Sequence, residues 1–291
     1  MSGGEHMNSI QPSVTLRPMT GEAGDLESAL ELSRAVGWAY RLDDWRVAQS
    51  LGQGILAEEN GQVIASAICW PYGDAFATCG SIIVAPAMQG RGLGRSLLAH
   101  LLQSTGSRAV MLNSTAVGMR LYESFGFEAT GTVHQHLGQV SAGTADAERG
   151  RWVRKANAED LQTLLQMDRQ AFGADRRRMI EEFNLIGSIA VIERAGDIQG
   201  YAICRPFGLG QVVGPVIACG AEDAKLLIEH FLRVNAGQIL RIDTGGDSGL
   251  RDWLTAQGLL EVSSVTTMIR GHRPQITGPH RIFALASQSF G

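Results

Sequence analysis

Apolar and polar residues alternate with two different periods along the first half of this 291-residue chain. "SVTLRPM" (13–19) reads as a strand, and Asp25 is a candidate cap for a helix running through Val36. "LDDWRVAQSLG" (42–52) predicts a second, shorter helix. "GILAEEN" and "QVIASAICW" predict a hairpin around Asn60-Gly61, a pair suited to the left-handed backbone of a two-residue turn. "FATCGSIIVAP" follows as a central strand ending at Pro86, and then come a glycine-rich turn and an apolar helix. "AVMLNST", a helix over "AVGMRLYESFG" (116–126) and a strand over "FEATGTVHQHL" complete the unit. Strands and helices interleaved in this way predict a mixed α/β sheet.

The pattern then repeats. "AICWPYG" (67–73) returns as "AICRPFG" (202–208), and "GDLESALELSRAVG" (24–37) as "EDLQTLLQMDRQAFG" (159–173). "SIIVAPAMQG" is echoed by "GPVIACGAED", and "LYESFGF" (121–127) by "DWLTAQGLL" (252–260). Four matches in one order mean two copies of one fold. "SAGTADAERG" (141–150) between them has the small, polar composition of a linker. The expected map is a tail at 1–10, a first domain at 11–140, the linker, and a second domain at 151–291. "GEHM" before Asn8 reads either as native sequence or as a cloning scar with Met7 as the native start. The apolar stretch in "GPHRIFALASQSFG" (278–291) is expected to complete a sheet or a subunit contact.

Composition narrows the function. Hydrophobic residues make up 44% and charged residues 19%, as in an ordinary globular protein. No apolar run approaches the roughly 18–20 residues of a membrane span. The first ten residues lack the apolar core of a signal peptide, so a cytoplasmic location is expected. A net charge of −4 argues against a nucleic-acid groove. The basic run "DRRRM" (175–179) reads as a solvated helix face. The four cysteines, Cys69, Cys79, Cys204 and Cys219, sit singly in apolar segments and read as buried thiols. His134 and His136 share one strand face, but no third metal ligand accompanies them in the sequence, and no metal is expected.

Gly90, Gly92 and Gly94 lie just before the helix "LLAHLL", a turn in which backbone amides can meet a phosphate at a helix N-terminus. The triphosphate-binding loop is excluded, because Gln89 stands at its first glycine and Arg95 at its lysine. The dinucleotide fingerprint fails too, since the spacing is G-x-G-x-G and Ser114 stands where an acidic residue is needed. What remains is V-x-P-x-x-[QR]-G-x-G-x-[GA], filled by Val84, Pro86, Gln89, Gly90, Gly92 and Gly94. With "TAVGMRLYESFGF" (115–127) behind it, residues 12–140 resemble the GNAT superfamily of acetyl-CoA-dependent N-acetyltransferases. Thr115 and Gly118 depart from that second motif, where Asn and Ala are usual.

The resemblance implies two tandem GNAT folds, each a mostly antiparallel sheet flanked by helices. It implies acetyl-CoA as cofactor, with amides from Gly90, Arg91, Gly92, Leu93, Gly94 and Arg95 on its pyrophosphate. Gln89 and Thr115 stand beside it, and Ile82 and Val84 lie along the pantetheine arm. Arg91 and Arg95 either add charge there or are solvated. Tyr122 takes the position of the general acid. The base is open among Glu58, Asp74, His134 and His136, because the central strand carries no Glu.

Acceptor contacts are expected from the loops holding Trp38, Tyr40, Asp43, Asp44, Trp70, Tyr72 and Asp74. Their aromatic and acidic character suggests a small cationic amine with an apolar part. The second copy reads "CGAEDAKLL" where the first has its glycine turn, and Trp253 or a neighbour where it has Tyr122, so it is expected to be degenerate. Two other readings stand beside acetyl transfer to a small amine. One is a non-catalytic acyl-CoA-binding or regulatory protein, and the other is an acetyltransferase acting on a protein amine. A monomer or homodimer, without nucleic acid or membrane, is expected.

Overall fold

A computed structural model describes residues 14–140 and 149–291 of the chain. The tail at 1–10 and most of the linker lie outside them. The first copy runs β1 (Thr15–Pro18), α1 (Ala23–Ala35), α2 (Leu42–Leu51), β2 (Gln53–Glu59), β3 (Gln62–Tyr72), β4 (Phe76–Val84), α3 (Leu93–Thr105), β5 (Ala109–Ser114), α4 (Met119–Glu123) and β6 (Glu128–Gln139). The second runs β7 (Val153–Lys155), α5 (Leu161–Phe172), α6 (Arg177–Ile186), β8 (Ser188–Arg194), β9 (Asp197–Phe207), β10 (Gly210–Ala218), α7 (Ala221–Val234), β11 (Ile239–Gly245), α8 (Arg251–Ala256), β12 (Leu260–Arg270) and β13 (Arg281–Ala284). The repeat is therefore real at the level of elements.

Local chemistry explains most boundaries. Asn60 and Gly61 adopt φ of 54° and 77°, the left-handed pair that lets β2 turn into β3. Asp25 does not cap α1. Its carboxylate instead accepts from the Thr20 amide at 2.7 Å and pairs with Arg17 at 2.7 Å, fixing the entry to the helix. The helix expected over 116–126 shortens to α4, because the first residues after β5 form turns.

All the strands described join one mixed, mostly antiparallel sheet in the order β1-β2-β3-β4-β5-β12-β6-β11-β10-β9-β8-β7, with β13 on β10. Only β4–β5 and β10–β11 pair in parallel. The last strands interlock: β12 of the second copy lies against β5 of the first, and β6 of the first lies against β11 of the second. On one face α3 buries Leu93, Leu97, Leu98 and Leu101, and α7 buries Leu227, Ile228 and Phe231 over its own strands. On the other face α1, α2, α5 and α6 share a single core containing Trp45, Trp70, Phe172, Phe183, Tyr201 and Phe290. The halves are thus joined by a sheet and by a core. Among the described residues no helix is long and apolar enough to cross a membrane.

Two sequence expectations change. Cys69 and Cys79 are not isolated, since they face each other across β3 and β4, and Cys219 is exposed. Arg176, inside the supposedly solvated basic run, is fully buried on Asp168 at 2.7 Å and stacks over Phe172. The 278–291 segment completes the sheet through β13.

Candidate active site

The site begins with a defect in β4. Ser66 pairs with Ile83 but Ile68 pairs with Gly80, so β4 carries one extra residue. Ser81 takes φ of 50° at that bulge, and its carbonyl accepts from the Ser66 hydroxyl at 3.0 Å. Pairing of β4 with β5 ends at Thr78–Met111. Beyond that point the strands part, which leaves the Gly80–Val84 edge of β4 facing a cleft. Ile82 and Val84 lie on this stretch, their side chains half-buried against the α3 side.

The glycine turn closes the cleft's mouth. Gly90 and Gly92 have φ of 79° and 80°, and a Cβ on either would meet nothing within 4 Å. Their role is therefore conformational, and the space above the turn is open. Gly92 caps α3 without a side chain, so the amides of Leu93, Gly94 and Arg95 have no capping partner. Gln89 donates to the Val84 carbonyl at 3.3 Å, tying the turn to β4. Arg91 is held by Glu59 at 2.6 Å, and Arg95 donates to the Ser124 hydroxyl at 3.0 Å while covering Phe125. Both arginines are engaged by the protein. The open turn, the free amides and the unpaired β4 edge fit a diphosphate carried on an extended arm.

Tyr122 projects from α4 into the core beside Cys79 and Phe127, and only 9% of it is exposed. Gly118 admits its ring, because a Cβ there would come within 2.8 Å of Tyr122 Cε2. Burial, reinforced by the nearby Cys79, pushes the Tyr122 phenol up to about 12. It therefore keeps its proton throughout the neutral range.

Deep in the cleft is a cavity of about 470 Å³. From the first half it is lined by Trp38, Tyr40, Cys79, Ser81, Asn113 and Thr115, among others. The second half roofs it with the Phe207–Gly210 turn, Arg241, Val262–Val265 and Ser287–Ser289. Trp38 and Tyr40 stand where the sequence suggested. The other expected acceptor residues do not reach the cavity. Trp70 is buried and donates to the Ala48 carbonyl at 2.8 Å, and Tyr72 donates to the Phe290 carbonyl at 3.0 Å. Asp43 is exposed and paired with Arg46, and Asp74 is exposed near Arg108. Asp44 is spent on Arg41 and on the Gly208 amide at 2.9 Å.

No carboxylate or imidazole is among the lining residues; the charged one is Arg241. An acidic attraction for a cation is therefore absent. The candidate bases lie elsewhere: Glu58 is on Arg17, His134 is 2.9 Å from Glu261, and His136 is fully buried against the Leu259 carbonyl.

Residues 50–129 match a family described as "Acetyltransferase (GNAT) domain", and residues 164–284 match a second family of the same description. The chain belongs to the GNAT acetyltransferases. It is 28% identical to an uncharacterized N-acetyltransferase, YitH, of Bacillus subtilis over 73% of this chain and 76% of that one. It is 27% identical to the holothin acyltransferase of a Pseudoalteromonas species over 80% of this chain and 79% of that one. In fold it resembles a putative acetyltransferase from Pyrococcus horikoshii, with a TM-score of 0.80, complete coverage of both chains and 17% identity.

The two GNAT copies differ at the place that matters. In the second, β10 carries the corresponding bulge, between Val213 and Val216. The edge beyond it, Val216–Ala218, is already paired with β13. Leu285 follows β13 so closely that a Cβ on Gly214 would come within 1.9 Å of its carbonyl oxygen. The second GNAT cleft is therefore filled by the chain itself, and Glu222 and Asp223 place acid at the α7 N-terminus. The same segment then crosses to the first GNAT cleft, where Ser289 packs on Gly80 and the Gln288 carbonyl accepts from Asn113 at 2.7 Å.

Proposed function

We propose that the chain transfers the acetyl group of acetyl-CoA to the amine of a small molecule held in the roofed cavity. Acetyl-CoA, when bound, supplies a thioester whose carbon–sulfur bond breaks as the acceptor nitrogen forms the amide, releasing a thiolate. The amides of Gly90 to Arg95 hold its diphosphate, and the β4 edge at Ile82 and Val84 holds the arm. Gln89 keeps that edge and the turn in one rigid unit, and Thr115 borders the acyl end.

Tyr122 is the proton donor to the leaving sulfur. A phenol near 12 is a weak acid in water, but a thiolate formed in the same desolvated site is raised in basicity by the same burial. With neither carboxylate nor imidazole in the cavity wall, the nitrogen sheds its proton to water, and water restores the phenol.

One observation carries the reading: the second half roofs the acceptor cavity. That enclosure favours a small molecule over a protein lysine or N-terminus. The relative named as a holothin acyltransferase supports acyl transfer by a chain of this size. The test is thiol release from acetyl-CoA by the full chain with a panel of small amines and of peptides. Turnover confined to small amines is the expected result. Saturable acetyl-CoA binding without thiol release on any amine would make the protein a non-catalytic acyl-CoA binder and overturn the proposal.

A further inference from the structure

The cavity's charge points away from the amine expected from sequence. Arg241 reaches it from β11 of the second half, and Asp243, fully buried, holds one edge of the guanidinium by two bonds: Nε donates to Oδ1 at 3.0 Å and Nη2 to Oδ2 at 2.7 Å. This clamp fixes the orientation of the side chain. Among the described residues no protein acceptor takes Nη1, and Arg241 lines the cavity, so this nitrogen is left for a ligand.

Behind it lies Arg205, fully buried on β9, where its Nε has no partner and no carboxylate lies within ion-pair distance among the described residues. Both guanidinium carbons stand 5.1–5.2 Å from the ring of Phe207, which lines the cavity between them. Arg41 pairs with Asp44 and Arg241 with Asp243, which leaves the buried Arg205 as one positive charge without a counter-ion behind the wall. The rest of the wall is uncharged: aromatic or apolar (Trp38, Tyr40, Leu209), hydroxylic (Ser81, Ser263) or amide (Asn113).

Resting on the acetyltransfer reading above, we infer that the acceptor is an amine that also carries a carboxylate, an amino acid in the broad sense, and that Arg241 receives the carboxylate. The guanidinium fork matches a carboxylate edge, and an anion there neutralises the charge that Arg205 leaves uncompensated. The amine then faces the β4 bulge and the apolar remainder packs on Trp38, Tyr40 and Leu209. Arg241 is a specificity residue and takes no part in the chemistry.

The experiment compares matched pairs on the full chain: L-phenylalanine with phenethylamine, L-leucine with isoamylamine, and 4-aminobutyrate with propylamine. At least one acid is expected to exceed its decarboxylated partner in kcat/KM by about 100-fold, mostly through KM. The paired change Arg241→Gln with Asp243→Asn removes both members of the ion pair, so neither is stranded, and leaves Arg205 as it is. It should remove that preference while leaving acetyl-CoA affinity unchanged. Amines that match or surpass their acids would overturn the inference and leave the acetyltransferase reading standing. A preference that survives the paired change would also overturn it. Failure of every amine to release thiol removes the acetyltransferase reading, and this inference with it.

Discussion

A phenol that keeps its proton at any physiological pH is useful only where something nearby needs that proton. Tyr122, proposed above as the donor to the leaving sulfur, is buried beside Cys79 with its hydroxyl given to no protein group among the described residues. Tyr122→Phe is therefore expected to lower kcat by about 100-fold or more while the Kd for acetyl-CoA stays within about twofold, measured by thiol release and by calorimetry. The pH profile supplies a second check. With no base in the wall, kcat/KM should climb about tenfold per pH unit until the acceptor amine itself is neutral. It should show no falling limb before the phenol ionises near 12. An inflection near the ordinary histidine range would instead mean that an imidazole takes the amine's proton.

The sequence singled out Tyr122, Trp38 and Tyr40 because each stands in a short motif or an aromatic loop. It hid Arg241, whose neighbours in the chain, "ILRIDTG", say only that a strand passes through. It likewise hid Arg176, which looks like its solvated neighbours Arg177 and Arg178 until Asp168 and Phe172 close around it.

Elements place these groups, and the glycine turn at the head of α3 is the one whose geometry is easiest to break. Gly92→Ala puts a methyl in open space at φ of 80°, so its folding cost should stay near 1 kcal/mol. That methyl stands where the diphosphate is proposed to sit. Acetyl-CoA affinity should therefore fall by at least about tenfold with little change in thermal stability, a combination that calorimetry and melting can separate.

The opposite balance is expected where α5, α6 and β9 meet. Asp168 takes Arg176 at 2.7 and 3.0 Å and the Tyr201 hydroxyl at 2.7 Å, all fully buried. Arg176→Leu strands a buried carboxylate and should cost about 3–5 kcal/mol in urea unfolding. The glycine turn was legible because a backbone with φ near 80° at Gly90 and Gly92 admits little but glycine. The filling of the second cleft by β13 was not, since an apolar strand near residue 283 carries no mark of the neighbour it will choose.

At the scale of the whole molecule, the internal repeat announced two copies but not how they close. β12 is antiparallel both to β5 and to β6, so β5 and β6 run parallel with a foreign strand between them. A first half cut free would lose that strand, leaving β5 with an open edge and β6 with no neighbour at all. The second half would lose β6 from beside β11 in the same way. Its share of the common core, including Phe172, Phe183 and Phe290 packed with Trp45 and Trp70, would also face water. Residues 1–145 and 146–291 produced separately should therefore lack cooperative unfolding and bind acetyl-CoA weakly or not at all. Produced together, they should assemble one to one and recover both properties, because every strand then finds its neighbour. Size-exclusion chromatography and thermal melts of the two preparations decide it. A first half that melts cooperatively alone and takes up acetyl-CoA would mean that interlocking is dispensable and that the second half serves only as the roof of the acceptor cavity.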